Sequence, residues 1–194
     1  MKCDIILAGV GGQGILTIAA TIGLAAVEQG LFLKQAEVHG MSQRGGDVQS
    51  HLRLSDREIH SDLIPIGKAD LIISVEPMEA LRYLPWLSPE GWVVTSSVPY
   101  VNITDYPATE EIMTELEKTG NTVILDADAI AKDLGSARSG NMVILGAASG
   151  YISIPFESLE NAVKKLFGRK GEAIVGLNLK ALYAGRDTAE GKKM

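Results

Sequence analysis

Cysteine is almost absent from this chain of 194 residues, in which Cys3 is the only one. A single cysteine can form neither an intramolecular disulfide nor a cysteine cluster that holds zinc or an iron–sulfur group. Cys3 stands at the start of a short apolar run, so we expect it to fill space in a buried strand.

Basic residues are also scarce. The chain has 18 Lys and Arg against 24 Asp and Glu, which gives a formal net charge of −6. Nucleic-acid binding depends on a positively charged face that neutralises phosphates, and this composition hardly supplies one. We therefore expect no nucleic-acid partner, and any phosphate contact must be local.

Long apolar runs are missing near the start of the chain. The opening run, MKCDIILAGVGG, reaches its first glycines after about one strand length. Such a run is too short for a secretory signal or for a membrane span. The sequence predicts a cytoplasmic protein with no membrane contact.

Common metal and nucleophile motifs are absent as well. The three histidines, at positions 39, 51 and 60, form no HxH or HxxxH pair, so no metal site is expected. The chain contains no G-x-S-x-G, no phosphate-binding P-loop, and no Ser or Cys nucleophile with an evident base. We expect no catalytic residue in this chain.

The residues that are present predict an α/β domain. With 46% hydrophobic residues, the chain can bury one good core, so we expect a single domain over residues 1–194. A strand at 4–8, a helix that ends at Gly30 and a strand at 31–38 have the length and order of a βαβ unit with a right-handed crossover. A half-buried strand at 47–55 follows, with 56–64 as its expected hairpin partner, across which His51 and His60 would face each other.

The rest of the chain continues this alternation and then becomes helical. Strands are predicted at 69–77, 91–97 and 121–128, and helices at 78–87 and 109–120, the latter with Thr109 as its N-cap. Three further helices are expected at 139–152, 155–168 and 170–187, the last reaching Tyr183 before Gly185. The predicted fold is three-layer and Rossmann-like, with a mainly parallel sheet, a hairpin excursion and a helical C-terminal region.

A glycine turn directly follows the first predicted strand. Gly9, Gly11 and Gly14 satisfy the G-x-G-x-x-G spacing, with Gly12 and Gln13 inside the motif. Glycines at this position let the backbone approach a phosphate, whose charge then meets the positive end of the following helix. The alternative is a tight turn between strand and helix that holds no ligand.

A second polar, glycine-bearing segment follows the second predicted strand. Glu37 stands near the position of the acid that binds ribose in dinucleotide folds, but the chain then continues into His39, Ser42, Gln43, Arg44, Gly45 and Gly46. Arg44 can grip a phosphate or carboxylate with two hydrogen bonds, or it is an ordinary exposed arginine. At the same edge of the sheet we expect Glu76, Ser96, Ser97 and Asp126, because ligands bind beyond the carboxyl ends of parallel strands.

Together, these two segments resemble a known family. The stretches GVGGQGILT and EVHGMSQRGGDVQSHLR, with GNMVILGA and NLKALYAG later in the chain, are similar to the gamma subunit or domain of the 2-oxoacid:ferredoxin oxidoreductases. Within that family the pattern is most similar to the small beta subunits of indolepyruvate ferredoxin oxidoreductases. The similarity covers most of the chain.

The resemblance implies a heteromeric enzyme that oxidatively decarboxylates arylpyruvates, with coenzyme A as a substrate and ferredoxin as the electron acceptor. It also implies thiamine diphosphate, magnesium and iron–sulfur clusters, which belong on a large partner subunit because this chain lacks their motifs. Met41 to Gly46 would approach the active site of the partner, where Gln43 and Arg44 orient substrate, cofactor or coenzyme A phosphates. The chain would be inactive alone, and whether it self-associates stays open.

Two other functions stay open from the sequence. A free-standing nicotinamide-dependent reductase would use Gly9–Gly14 for the pyrophosphate and Glu37 for the ribose, but no Tyr-x-x-x-Lys proton donor is present at the expected strand end. A non-catalytic scaffold subunit would use both glycine segments for protein contacts only.

Overall fold

The computed structural model describes residues 1–39 and 45–191, with only the backbone of His39. Within these residues six strands form one sheet in the order β2-β3-β1-β4-β5-β6. Its strands are β1 (Lys2–Val10), β2 (Phe32–His39), β3 (Asp47–Ser55), β4 (Ala69–Ser74), β5 (Leu87–Ser96) and β6 (Thr122–Leu125). β1, β4, β5 and β6 pair in parallel, and β3 runs antiparallel to both of its neighbours.

Helices cover both faces of the sheet. They are α1 (Ile15–Glu28), α2 (Pro77–Arg82), α3 (Thr109–Glu117), α4 (Ala127–Asp133), α5 (Gly140–Ala148), α6 (Phe156–Phe167) and α7 (Glu172–Gly191). Successive side chains of a strand point to opposite faces: Ile5 and Leu7 join the apolar cluster of α1 and α4–α7, whereas Ile6 and Ala8 join the cluster of α2 and α3. The predicted three-layer α/β fold is confirmed.

The pairing of the first strands differs from the prediction. β2, not 56–64, forms the hairpin with β3, and β3 also pairs with β1, so that Leu52 lies between Ile5 and Gln35. β2 therefore runs parallel to β1 but one strand away from it. The expected pairing of 56–64 with β3 is wrong because both edges of β3 are already occupied, and 56–64 contains no strand.

Several element boundaries also differ from the prediction. The helix expected at 78–87 ends at Arg82, β4 ends at Ser74 and not at 77, and β5 begins at Leu87, before the expected 91. The expected strand at 121–128 ends at Leu125, where Asp126 accepts a hydrogen bond from the Ala129 amide and starts α4. Ala108, which has no capping side chain, occupies the N-cap position of α3 that was expected of Thr109. α7 continues through Gly185 to Gly191. In the described residues no helix combines the length and the apolar content needed to cross a membrane.

Gly185 continues α7 because it allows a close crossing with α5. A Cβ atom at Gly185 would lie 1.9 Å from the Val143 carbonyl oxygen, and one at Gly146 would lie 1.9 Å from that of Leu182. Both obstacles are helix backbone, which cannot move aside as a flexible side chain does. The two late sequence stretches, GNMVILGA and NLKALYAG, therefore meet backbone to backbone.

We predict that Gly185→Ala or Gly146→Ala lowers the free energy of unfolding by roughly 1–3 kcal/mol or more, because the methyl group forces the two helices apart. Urea denaturation measures the change. Gly176→Ala is the matched control, since it lies on the same helix with no atom within 4 Å of the added Cβ. It should be neutral or stabilising by up to about 1 kcal/mol through helix propensity. Equal stabilities of the Gly185 and Gly176 variants would contradict the close crossing.

Candidate functional site

The carboxyl ends of β1, β4, β5 and β6 meet at one edge of the sheet, because these strands are parallel. β3 is antiparallel, so it begins at this edge, with Asp47 opposite Val10. We call this edge the carboxyl rim and define it as residues 10–14, 45–47, 75–76 and 97–106. In open α/β sheets this is the edge at which ligands bind.

The two glycine segments contact each other at the rim. The Gly11 amide donates to the Gly46 carbonyl over 2.8 Å, and the Gly45 amide donates to the Gly11 carbonyl over 3.3 Å. Gly45 has a φ of 74°, which a side chain would strain. The structure thus brings together Gly11, Gly45 and Gly46, while Met41, Ser42, Gln43 and Arg44 lie outside the described residues, as does the side chain of His39.

Three residues of the first motif have structural roles in the turn. Gln13 accepts a hydrogen bond from the Val10 amide through its side-chain oxygen, over 2.8 Å. A Cβ at Gly9 would lie 2.6 Å from Val75, and one at Gly14 would lie 2.5 Å from the Asn141 amide nitrogen. Gly9 is therefore needed for packing and Gly14 for its φ of 85°, whereas Gly12 faces open space.

A cavity of about 400 Å³ opens beside the turn. Its described lining is mainly apolar and includes the carboxylate of Glu37. The lining residues are Val10, Gly11, Gly12, Gly14, Ile15, Leu16, Glu37 and Val48. The structure therefore places Glu37 and the glycine turn on the same cavity, although β3 separates their strands.

A second groove, of about 530 Å³, lies on the other side of the turn, where α1 and α5 begin. Arg138 and Lys170 line it, no carboxylate is among its described lining residues, and neither cation forms an ion pair with another described residue. Asn141 joins the two helix starts by donating to the Gly14 carbonyl over 3.2 Å. This groove is locally positive in an acidic protein and suits an anion.

The sequence did not point to Arg138, Lys170 or Asn141. They come from the loop before α5, from the turn between α6 and α7, and from α5 itself. The one available signal was GNMVILGA, which contains Asn141 and was noted only as a family pattern.

Segment 97–106 crosses the rim after β5 and is held at several points. Glu76, 1% exposed, accepts hydrogen bonds from the Tyr100 amide over 3.2 Å, from the Tyr106 hydroxyl, and from the Glu79 amide at the start of α2. Burial, with help from Glu76, raises the pKa of Tyr106, which keeps this phenol protonated. Asn102 donates to the Gly45 carbonyl over 2.8 Å. Glu76, a rim candidate from the sequence, is thus occupied in holding the chain.

Half-buried Asp47 and buried Glu79 form an acidic cluster at the rim. Asp47 accepts a hydrogen bond from the Tyr83 hydroxyl through both carboxylate oxygens, at 3.1 and 2.8 Å. Glu79 is 4% exposed and accepts a hydrogen bond from Arg82 over 2.9 Å. Burial raises the pKa of Glu79 to about 7; Arg82 opposes this shift and Asp47 adds to it. Glu79 therefore exchanges a proton near neutral pH.

The described histidines have no shared site. His51 is buried and its Nδ1 accepts the Ile64 amide proton over 3.0 Å, so it anchors the segment that follows β3. Burial and, next, Arg53 lower the pKa of His51. The expected facing of His51 and His60 across a hairpin is wrong because 56–64 is not a strand. Among residues 1–39 and 45–191, no group of three His, Cys, Asp or Glu side chains is arranged to hold a metal.

The fold and the rim define a Rossmann-like domain whose glycine segments form one surface and whose buried acids serve its own structure. Residues 4–188 match the family model for pyruvate ferredoxin/flavodoxin oxidoreductase. The chain belongs to this family, and the family membership predicted from the sequence is confirmed.

Relatives and solved structures agree with this assignment. The chain is 40% identical over 198 residues to the indolepyruvate oxidoreductase subunit IorB of Archaeoglobus fulgidus, covering 97% of this chain and 96% of that one. The gamma subunit of a keto/oxoacid ferredoxin oxidoreductase from Geobacter sulfurreducens is 26% identical, with a TM-score of 0.68 over 97% of this chain and 99% of that one.

A larger enzyme contains the same fold. The 2-oxoglutarate:ferredoxin oxidoreductase from Magnetococcus marinus, with 2-oxoglutarate, coenzyme A and succinyl-CoA bound, has a TM-score of 0.77 at 23% identity. The match covers 98% of this chain and 31% of that one. This fold therefore occurs both as a separate subunit and as about a third of a longer chain.

We predict that Glu79 makes the stability of the chain fall, relative to Glu79→Gln, as pH rises from 5 to 8. His51, whose pKa is lowered, adds a rise in the same range that is common to both proteins. The pKa of Glu79 is raised from its usual 4.5 to about 7 in the folded chain. Its stabilising contribution is therefore complete below pH 4.5 and is lost as pH rises through about 7. Urea denaturation at each pH measures the slope. Glu115→Gln, at an exposed position of α3, removes the same charge and should leave the slope unchanged. Parallel curves for wild type and Glu79→Gln would rule out the proton exchange at Glu79.

Proposed function

We propose that this chain is the small subunit of an indolepyruvate ferredoxin oxidoreductase that acts on arylpyruvates. The observation that carries the proposal is the 40% identity to an indolepyruvate oxidoreductase subunit over nearly the full length of both chains. The complex joins the arylacetyl group to coenzyme A, releases carbon dioxide, and passes two electrons to ferredoxin. The chain alone is inactive.

The redox and decarboxylation chemistry belongs to the large catalytic subunit. Thiamine diphosphate, magnesium and iron–sulfur clusters would be bound there, and the clusters would supply the electrons that ferredoxin accepts. This chain's own cysteine is unsuited to a cluster, since Cys3 is 2% exposed and burial raises the pKa of its thiol to about 11. Buried glutamates can act as general bases in enzymes, but Glu76 and Glu79 already form hydrogen bonds within the chain.

The carboxyl rim is the surface that completes the active site of the partner. The cofactor- and substrate-facing residues are proposed to be Gly9, Gly11, Gly12, Gln13, Gly14, Glu37, His39, Ser42, Gln43, Arg44, Gly45 and Gly46. Support comes from the contact between Gly11 and the Gly45–Gly46 pair, which adjoins the position of Arg44 in the chain. A guanidinium next to this surface recognises anionic groups.

The positive groove supplies a site for coenzyme A. Its volume of about 530 Å³ lies in the range of small-molecule sites, roughly 300–1,000 Å³. The phosphates of coenzyme A match Arg138 and Lys170, which have no ion-pair partner in the described chain. The groove also shares Gly12 and Gly14 with the rim cavity, so a ligand in it reaches the glycine turn.

A nicotinamide-dependent reductase is the competing function, favoured only by the shared cavity of Glu37 and the glycine turn. In a dinucleotide fold the strand that ends in the acid lies next to the first strand. Here β3 lies between them, which doubles the separation of the strands from about 4.8 to about 10 Å. We therefore favour the subunit.

The remaining expectations rest on the sequence. We propose a single domain over residues 1–194 and a cytoplasmic location, with no nucleic-acid or membrane partner. Self-association of the isolated chain is not needed for the proposed activity.

Reconstitution tests the proposal. The chain and the large subunit are purified separately, mixed under anaerobic conditions, and assayed by dye reduction with an arylpyruvate and coenzyme A. We expect turnover that requires both chains and both substrates, because the chemistry and the completing surface are on different chains. Decarboxylation by this chain alone, or full activity of the large subunit without it, would refute the proposal.

The same assay tests whether the Arg138–Lys170 groove and Arg44 bind anionic groups. Replacing Arg138 and Lys170 by Ala together should raise the KM for coenzyme A by about tenfold or more, as expected for the loss of charge-assisted hydrogen bonds. Lys180→Ala, an exposed lysine on α7, is the control and should not change it. Arg44→Ala should alter the KM for the arylpyruvate or for coenzyme A. If the groove variant and Arg44→Ala both behave as wild type, neither contact exists.

A further inference from the structure

Asn102 makes a contact that links two distant parts of the chain. It lies on segment 97–106, and its side-chain amide donates a hydrogen bond of 2.8 Å to the carbonyl oxygen of Gly45, 57 positions away. Gly45 belongs to the second glycine segment, so the contact joins the chain after β5 to the chain before β3.

The end of this link that carries Asn102 is fixed to the body of the domain. Glu76 accepts hydrogen bonds from the Tyr100 amide and the Tyr106 hydroxyl, which bracket Asn102. Glu76 is itself buried and starts α2, where its other oxygen accepts the Glu79 amide proton over 2.7 Å. Asn102 therefore projects from a segment tied on both sides to a buried carboxylate.

Few contacts in the described part of the chain hold the other end of the link. Gly45 contacts Gly11 through one backbone hydrogen bond, and Gly11 contacts Gly46 through another. Glycine backbone is more flexible than that of any other residue and offers no side chain for packing. Among the described residues, Asn102 provides the side-chain hydrogen bond to this junction.

We propose that Asn102 is a positioning residue that fixes the Gly11–Gly45 junction of the rim for the active site of the complex. It acts through the junction rather than on substrate. This inference rests on the proposed function, because the junction matters for turnover only if the rim faces the partner's site. Fixing the junction before the complex binds substrate removes an ordering cost that binding would otherwise bear.

Asn102→Asp tests the inference with almost no change in shape. The carboxylate cannot donate and places an oxygen against the Gly45 carbonyl. In the reconstituted complex we expect the KM for the arylpyruvate to rise about threefold to tenfold, as expected for the loss of one hydrogen bond. The value of kcat should stay within about twofold, because an ordering cost met on binding affects substrate and transition state equally.

A second readout does not depend on enzyme activity. In the isolated chain, NMR hydrogen exchange at the Gly11 and Gly45 amides should become faster in Asn102→Asp, whereas the amides of β4 should be unaffected. Asn102→Gln, which keeps the donor on a longer side chain, should recover part of the wild-type KM. Thr104→Ala, in the same segment, is the control and should match wild type in both measurements.

These outcomes separate the inference from the proposed function. An unchanged KM in Asn102→Asp, or unchanged exchange at Gly11 and Gly45, overturns the positioning role while wild-type turnover stands. A complex of wild-type chains without turnover overturns the proposed function and with it the role of Asn102 in catalysis. A fall in thermal stability with no change in KM would identify Asn102 as structural only and also overturn the inference.

Discussion

Reciprocal backbone hydrogen bonds between Gly11 and the Gly45–Gly46 pair are the constraint on which the rim depends. They form because β3 lies antiparallel between β1 and β2 and so begins where β1 ends. In a sheet with β2 directly beside β1, the second glycine segment would be displaced by a strand. The position of β3 between β1 and β2 therefore brings the two glycine segments together as one surface.

The same surface fits the role of a subunit in the proposed complex. Three of its acids are used internally: Glu76 holds segment 97–106, and Asp47 and Glu79 form the acidic cluster at the rim. The rim exposes glycine backbone and much of segment 97–106, and beside it lie the cation-lined groove and the exposed carboxylate of Glu37. Such a surface can bind and orient groups, and under the proposed function the large subunit breaks the bonds and carries the electrons.

Local patterns predicted much of the fold. The alternation of aliphatic strands and helices gave the layers, and the glycine positions gave the turn after β1. Strand order was not accessible in the same way, because the 56–64 segment carries turn residues that resemble a hairpin while the real partner of β3 precedes it. Gly185 resembled a helix end, since the sequence does not show that Val143 approaches its backbone.

The site was predicted only in part, because the sequence shows local motifs but not contacts between distant residues. The glycine residues were visible because they form a motif, whereas Asn102, Arg138 and Asn141 are isolated polar residues that only the folded chain brings to the turn. A relation across 57 or 127 positions leaves no mark on local composition. The roles of Ser42, Gln43 and Arg44 stay predictions from the sequence.

The most direct test of the central claim is a hydrogen-exchange footprint of this chain with and without the large subunit. The account predicts slower exchange in the complex at residues 10–14, 45–47 and 97–106, which form the carboxyl rim. Residues 56–68 lie at the opposite edge, beyond Ser55 and the start of β1, and should exchange equally in both states. Protection of 56–68 with an unprotected rim would contradict the account.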